Sequence, residues 1–169
     1  MNFATVELHQ YQDQFSVRLG GHDLVVSGAH RAALARYMGS PVVIGLRPAA
    51  FSLATTPGET ALTIVPLGVE SLGDEKHVLF TAPPAGNDET APDLPDDGPD
   101  AVPVTVDDSA GTQLWTAKVT QRADLAIGRP MSLAVDLSAA YFFDPVSGEA
   151  VAGAPGTAAT DVLAVGAAR

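Results

Sequence analysis

Apolar residues in this chain recur at every second position over short runs, and each run is cut off by glycine, proline or a polar cluster. Val6 and Leu8, then Phe15, Val17 and Leu19, then Trp115, Ala117 and Val119, then Met131, Leu133 and Val135 all follow this rule. Successive residues of an extended backbone point to opposite faces, so a period of two sets one apolar side against a core and leaves the other free. That pattern predicts short strands. Gly20-Gly21-His22-Asp23 stands between Phe15–Leu19 and Leu24–Val26, and glycine adopts positive φ at little steric cost, so a hairpin is expected there. A second hairpin is expected where Leu62–Leu72 is followed by Gly73-Asp74-Glu75 and then Val78, Leu79 and Phe80. Pro66 and Gly68 inside its first strand suggest an edge or a bulge.

One stretch reads as helix. Ala33, Leu34, Tyr37 and Met38 fall on one face, Ser27 is a candidate N-cap, and Gly39 can end the segment,. Many short strands with a single short helix favour an all-β, OB-like barrel, built as tandem or split OB-type subdomains, over a doubly wound α/β sheet. The barrel is expected to occupy residues 1–151. Over 83–111 the composition turns to Pro, Gly, Asp and Ala with few large apolar residues, which cannot bury enough surface to offset ordering entropy. This predicts a long, disordered acidic loop inserted in the barrel, and a small-residue tail over 152–169.

The net charge of −11 is concentrated. Asp88, Glu89, Asp93, Asp96, Asp97, Asp100, Asp107 and Asp108 supply eight charges with no base among them, leaving twelve acids against nine bases elsewhere, a net of −3. A nucleic-acid footprint needs a basic stripe to neutralise phosphates, so no nucleic-acid partner is expected. The absence of cysteine excludes disulfides and thiolate metal sites,. No run of eighteen apolar residues occurs and no signal-peptide layout opens the sequence, so a cytoplasmic location is expected.

Catalytic patterns are sparse. There is no G-x-x-x-x-G-K loop to cradle a nucleotide's phosphates and no G-x-S-x-G elbow,. His9, His22, His30 and His77 show no H-x-x-x-H or H-E-x-x-H spacing, so they read as exposed or hydrogen-bonded histidines rather than metal ligands. Of the acid pairs, Asp96-Asp97 and Asp107-Asp108 fall in the acidic loop, while Asp74-Glu75 suits a turn beside Gly73,. No enzyme activity and no cofactor are expected of the chain itself.

Three segments follow one another in a particular order. Gly45-Leu46-Arg47-Pro48 comes directly after the apolar Val42-Val43-Ile44; Val69-Glu70-Ser71-Leu72-Gly73-Asp74-Glu75 comes second; Phe143-Asp144-Pro145-Val146-Ser147-Gly148-Glu149 comes third. With Gly128 ahead of the Met131–Val135 strand, this ordered set resembles the tandem OB-type regulatory (TOBE) domain of maltose- and glycerol-phosphate-importer ABC ATPases, over nearly the whole chain. Met1-Asn2-Phe3 also resembles the passage from the nucleotide-binding domain into that domain. The sequence departs from the family at Ala49 and Ala50, where Glu and a polar residue are usual.

The resemblance implies a regulatory and dimer-stabilising module of a sugar-import ATPase, at the cytoplasmic face of the membrane. Its implied partners are a second copy, the ATPase's nucleotide-binding domain, through it the permease subunits, and a regulatory protein or metabolite. The family-motif candidates are Gly45, Arg47, Pro48, Glu70, Leu72, Gly73, Asp74, Phe143, Asp144 and Gly148. Arg47, at a strand end, is expected to pair with Glu70 or Asp144. Asp144 is expected to accept backbone hydrogen bonds in a closing turn, with Phe142 or Phe143 filling the barrel end. The competing reading is a free-standing OB-type module for a small oxyanion; an unrecognised hydrolase has only scattered acids to support it.

Overall fold

A computed structural model describes residues 1–11, 13–26, 28–54, 61–84, 113–120 and 125–152. The expected acidic loop, apart from its first two prolines, and the expected tail beyond Ala152 lie outside the described residues, as does the proposed cap Ser27. Within them the chain is all-β, with three antiparallel sheets and one short helix.

The largest sheet has six strands: β1 (Asn2–Tyr11), β2 (Gln14–Leu19), β3 (His22–Val25), β4 (Pro41–Leu46), β11 (Tyr141–Phe143) and β12 (Ala150–Ala152), in the order β12-β11-β4-β1-β2-β3. β2 and β3 form the hairpin read from Gly20-Gly21, whose φ values are 58° and 75°. Between β3 and β4 the helix α1 (Gly28–Leu34) runs into a 3₁₀ turn, Ala35–Tyr37, and Gly39 follows at φ 71°.

Leu62–Leu72 is not one strand, as the alternation suggested, but two in different sheets. β6 (Ala61–Ile64) joins β5 (Phe51–Leu53) and β10 (Met131–Val135) in the order β5-β10-β6. β7 (Pro66–Leu72) joins β8 (Glu75–Thr81) and β9 (Leu114–Val119) in the order β7-β8-β9. Proline cannot donate to a ladder, so the β6 pairing stops where Pro66 begins the next strand. The register slips between Pro66 and Gly68, and β7 lies at the edge of its sheet.

The apolar faces of all three sheets feed one core. Leu8, Leu19, Ile44 and Leu46 from the six-stranded sheet, Leu62 and Leu133 from the second, and Phe80 and Trp115 from the third are all at most 1 % exposed. Burial of a side chain of this size contributes roughly 1.5–3 kcal/mol. Phe51 meets Phe80 and Trp115 edge-on at 6.0 and 6.3 Å, clasping the two smaller sheets together. Asn2 ties the large sheet to β9: its side-chain amide donates to the Thr116 carbonyl at 2.8 Å and accepts from the Thr116 N–H at 2.9 Å. No helix among the described residues is long and apolar enough to cross a membrane.

Candidate functional site

Antiparallel pairing of β4 with β11 brings the first and third motif segments side by side, with Tyr141 opposite Gly45 and Phe143 opposite Val43. On its other edge β4 pairs with β1, placing Phe3 opposite Gly45, Thr5 opposite Val43 and Glu7 opposite Pro41. Val42, Ile44 and Leu46 are buried on the core side. The alternate residues therefore make the outer face, in successive rows: Met1 with Arg47; Phe3, Gly45 and Tyr141; Thr5, Val43 and Phe143; Glu7 with Pro41.

This face is apolar at its centre and open to water. Met1 is 49 % and Phe3 40 % exposed, and Phe3 meets the Phe143 ring edge-on at 5.9 Å. Gly45 is buried beneath them. A Cβ there would lie 3.0 Å from Met1 Sδ and 3.1 Å from both Phe143 Cε2 and Phe3 Cε1. The glycine is thus the floor over which three apolar side chains close.

Arg47 does not pair with Glu70 or Asp144. Its extended backbone continues the alternation of β4, which aims the side chain onto the outer face, where the guanidinium lies 4.9 Å from the centroid of the Tyr141 ring. A cation over an aromatic face is held by the ring quadrupole and needs no carboxylate. Glu70 is on β7, opposite His77, in a different sheet. Asp144 is engaged elsewhere. Pro48 opens a 3₁₀ turn, Pro48–Ala50. Ala50 in that turn is buried while its carbonyl accepts from the Asp136 N–H at 2.9 Å, so a polar side chain at this position would need a buried partner.

Asp144 opens the turn between β11 and β12. Its Oδ1 accepts from the Ser147 N–H at 2.8 Å and the Val146 N–H at 2.9 Å, while its backbone exchanges hydrogen bonds with Gly148 and Glu149. Gly148 takes φ 71°, as the turn requires,. Asp144 Oδ2 accepts from the Tyr37 hydroxyl at 2.7 Å, joining the turn to the helical segment. The Ser147 N–H, then the Tyr37 hydroxyl and the Val146 N–H, favour the carboxylate and hold its pKa down to about 2,. The same bond pushes the Tyr37 phenol up. Phe142, not Phe143, fills the interior; it is fully buried, with the buried His30 ring edge-on at 5.4 Å. His30 Nε2 lies 3.3 Å from the Ser138 carbonyl.

The second motif segment stays apart. Glu70 and Leu72 end β7, Gly73 and Asp74 turn the β7–β8 hairpin with Gly73 at φ 70°, and all four are exposed. Glu75 beside them pairs with Lys118 at 2.6 Å. Neither the Asn2–Thr116 bonds nor the Tyr37–Asp144 link is legible in the sequence, because each joins residues more than a hundred positions apart and leaves no local pattern. The surface positions of Phe3 and Tyr141 left one signal, since the run Tyr141-Phe142-Phe143 must set aromatics on both faces of any strand.

No three His, Cys, Asp or Glu side chains among the described residues are grouped to hold a metal ion. A shallow groove of about 440 Å³ lies between the β2–β3 hairpin and α1. Its cation, Arg31, lies over the Phe15 ring with Asp13 at 3.8 Å, so a carboxylate already offsets its charge. Comparison with protein-family models and with curated proteins finds no match.

Proposed function

We propose that this chain is a non-catalytic, OB-type regulatory and dimer-stabilising domain of a carbohydrate-importer ATPase, acting at the cytoplasmic face of the membrane through a partner that binds nucleotide. The observation that carries the reading is the β4–β11 pairing. It unites Gly45-Leu46-Arg47-Pro48 and Phe143-Asp144, segments nearly a hundred residues apart, as one outer face and its bordering turn, and that face offers apolar and stacked groups suited to a protein surface. The second motif segment adds a tight hairpin in another sheet. An oxyanion module is less well supported, because the described groove sets Asp13 beside its arginine.

Calorimetric titration of the chain with magnesium ATP tests the non-catalytic part. No heat of binding and no phosphate release are expected, since the sequence holds no phosphate-binding loop,. Micromolar binding or turnover would contradict it.

A further inference from the structure

We propose that the outer face of β1, β4 and β11 is the seam through which two copies of this chain pair, an assignment that rests on the dimer-module reading above and gives it a place. The face is built to match itself. Phe3, Thr5, Val43 and Phe143 form its middle, Arg47 stands at one end, and Glu7 stands at the other. Between the Met1–Arg47 row and the Glu7–Pro41 row, six residues along β1 span about 20 Å at roughly 3.3 Å per residue. Along the strands the two residues therefore stand about equally far from the apolar centre.

An isologous contact presents the same patch from both copies. When a second copy is turned about an axis that lies in the seam and crosses the strands, each strand meets its mate running the opposite way. Phe3 and Thr5 then exchange places across the axis, as do the two ends, so the Arg47 end of each copy lies over the Glu7 end of the other. One Arg47–Glu7 approach forms at each end, and the apolar middle is covered by its own duplicate. Among the described residues, Arg47 has only the Tyr141 ring, and Glu7, with its side chain 70 % exposed, has only His9 at 3.8 Å. Both charges are thus available to a mate.

The charge balance selects this occupant. The chain carries −11 overall, eight of those charges between Asp88 and Asp108 and a net of −3 elsewhere, so two copies that met through an acidic stretch would repel. The four rows hold one base and one acid and are neutral, so two chains can meet here without that cost. A nucleic acid or an anionic lipid surface would need several cations, and the rows supply one.

Sedimentation velocity over a concentration series tests the seam on the whole chain and on E7R, R47E and the E7R/R47E double variant, with circular dichroism to check folding. Both positions are exposed, so all four proteins are expected to fold alike. The parent chain is expected to dimerise. Either single reversal sets like charges against each other at both ends and is expected to weaken the dimer at least about tenfold, whereas the double reversal restores opposite pairs and is expected to return the dissociation constant to within about threefold. A dimer that ignores the single reversals, or that the double reversal fails to rescue, would overturn this seam while leaving the dimer reading in place. A parent chain that remains monomeric to about 1 mM would overturn both.

Discussion

At Asn2 a single buried amide completes backbone that would otherwise lack a partner. Because it serves both the N–H and the carbonyl of Thr116, Asn2→Ala is expected to lower stability by about 1–3 kcal/mol, the cost of leaving buried polar groups unsatisfied; a shift of the urea midpoint measures it. Arg47 stands at the opposite extreme. An exposed guanidinium resting on one ring contributes about 0.5–1 kcal/mol, so Arg47→Ala is expected to change the urea midpoint little. A loss of about 3 kcal/mol or more would restore the buried ion pair that the sequence suggested. The sequence suggested that pair because an arginine at a strand end and two carboxylates invite it. The backbone instead sends the side chain outward, a consequence of β4's register that no spacing reveals.

Among the elements, the turn between β11 and β12 makes the clearest claim about pH. The Asp144 carboxylate is favoured in the fold, its pKa lowered to about 2 from 3.8. Its contribution to stability is therefore fully present above the unfolded value and is lost as pH falls from about 4 through about 2. Asp23, lowered by its hydrogen bonds from Arg18, acts in the same direction. Urea midpoints measured from pH 5 to pH 2 are expected to fall less steeply in Asp144→Asn than in the parent chain; identical slopes would mean that the turn does not hold the carboxylate. The turns were the most legible elements in the sequence, because positive φ at Gly20, Gly21, Gly73 and Gly148 is a local requirement,. The split of Leu62–Leu72 was legible only in part. Pro66 and Gly68 announced an irregularity and Gly73 the β7–β8 hairpin, but that β6 pairs with β10, far along the chain, had no local signal. Gly45 and Phe143 were readable as motif members, while their meeting across β4 and β11 was not, since pairing partners of nearly equal apolar pattern cannot be told apart by periodicity.

Over the whole molecule, one core shared by three sheets makes cooperative unfolding the expectation,. Trp115 is the only tryptophan, fully buried in β9 against Phe51 and Phe80, so its fluorescence reports on the junction of the two smaller sheets while far-UV circular dichroism reports on all strands. The two probes are expected to give coincident urea transitions; separate midpoints would divide the fold into independent units. The all-β class followed from period two, the turn signals and the single short helix, whereas the proposed regulatory role rests on an ordered set of motifs and on the face that two of them build. The measurement that bears on that role most directly is the composition of the native protein, captured from the cells that express it and weighed intact. An ATPase carrying a glycine-rich phosphate-binding loop is expected, in the same polypeptide or in a stoichiometric complex with it. A polypeptide of 17.3 kDa, free of any nucleotide-binding partner, would contradict the regulatory-domain account.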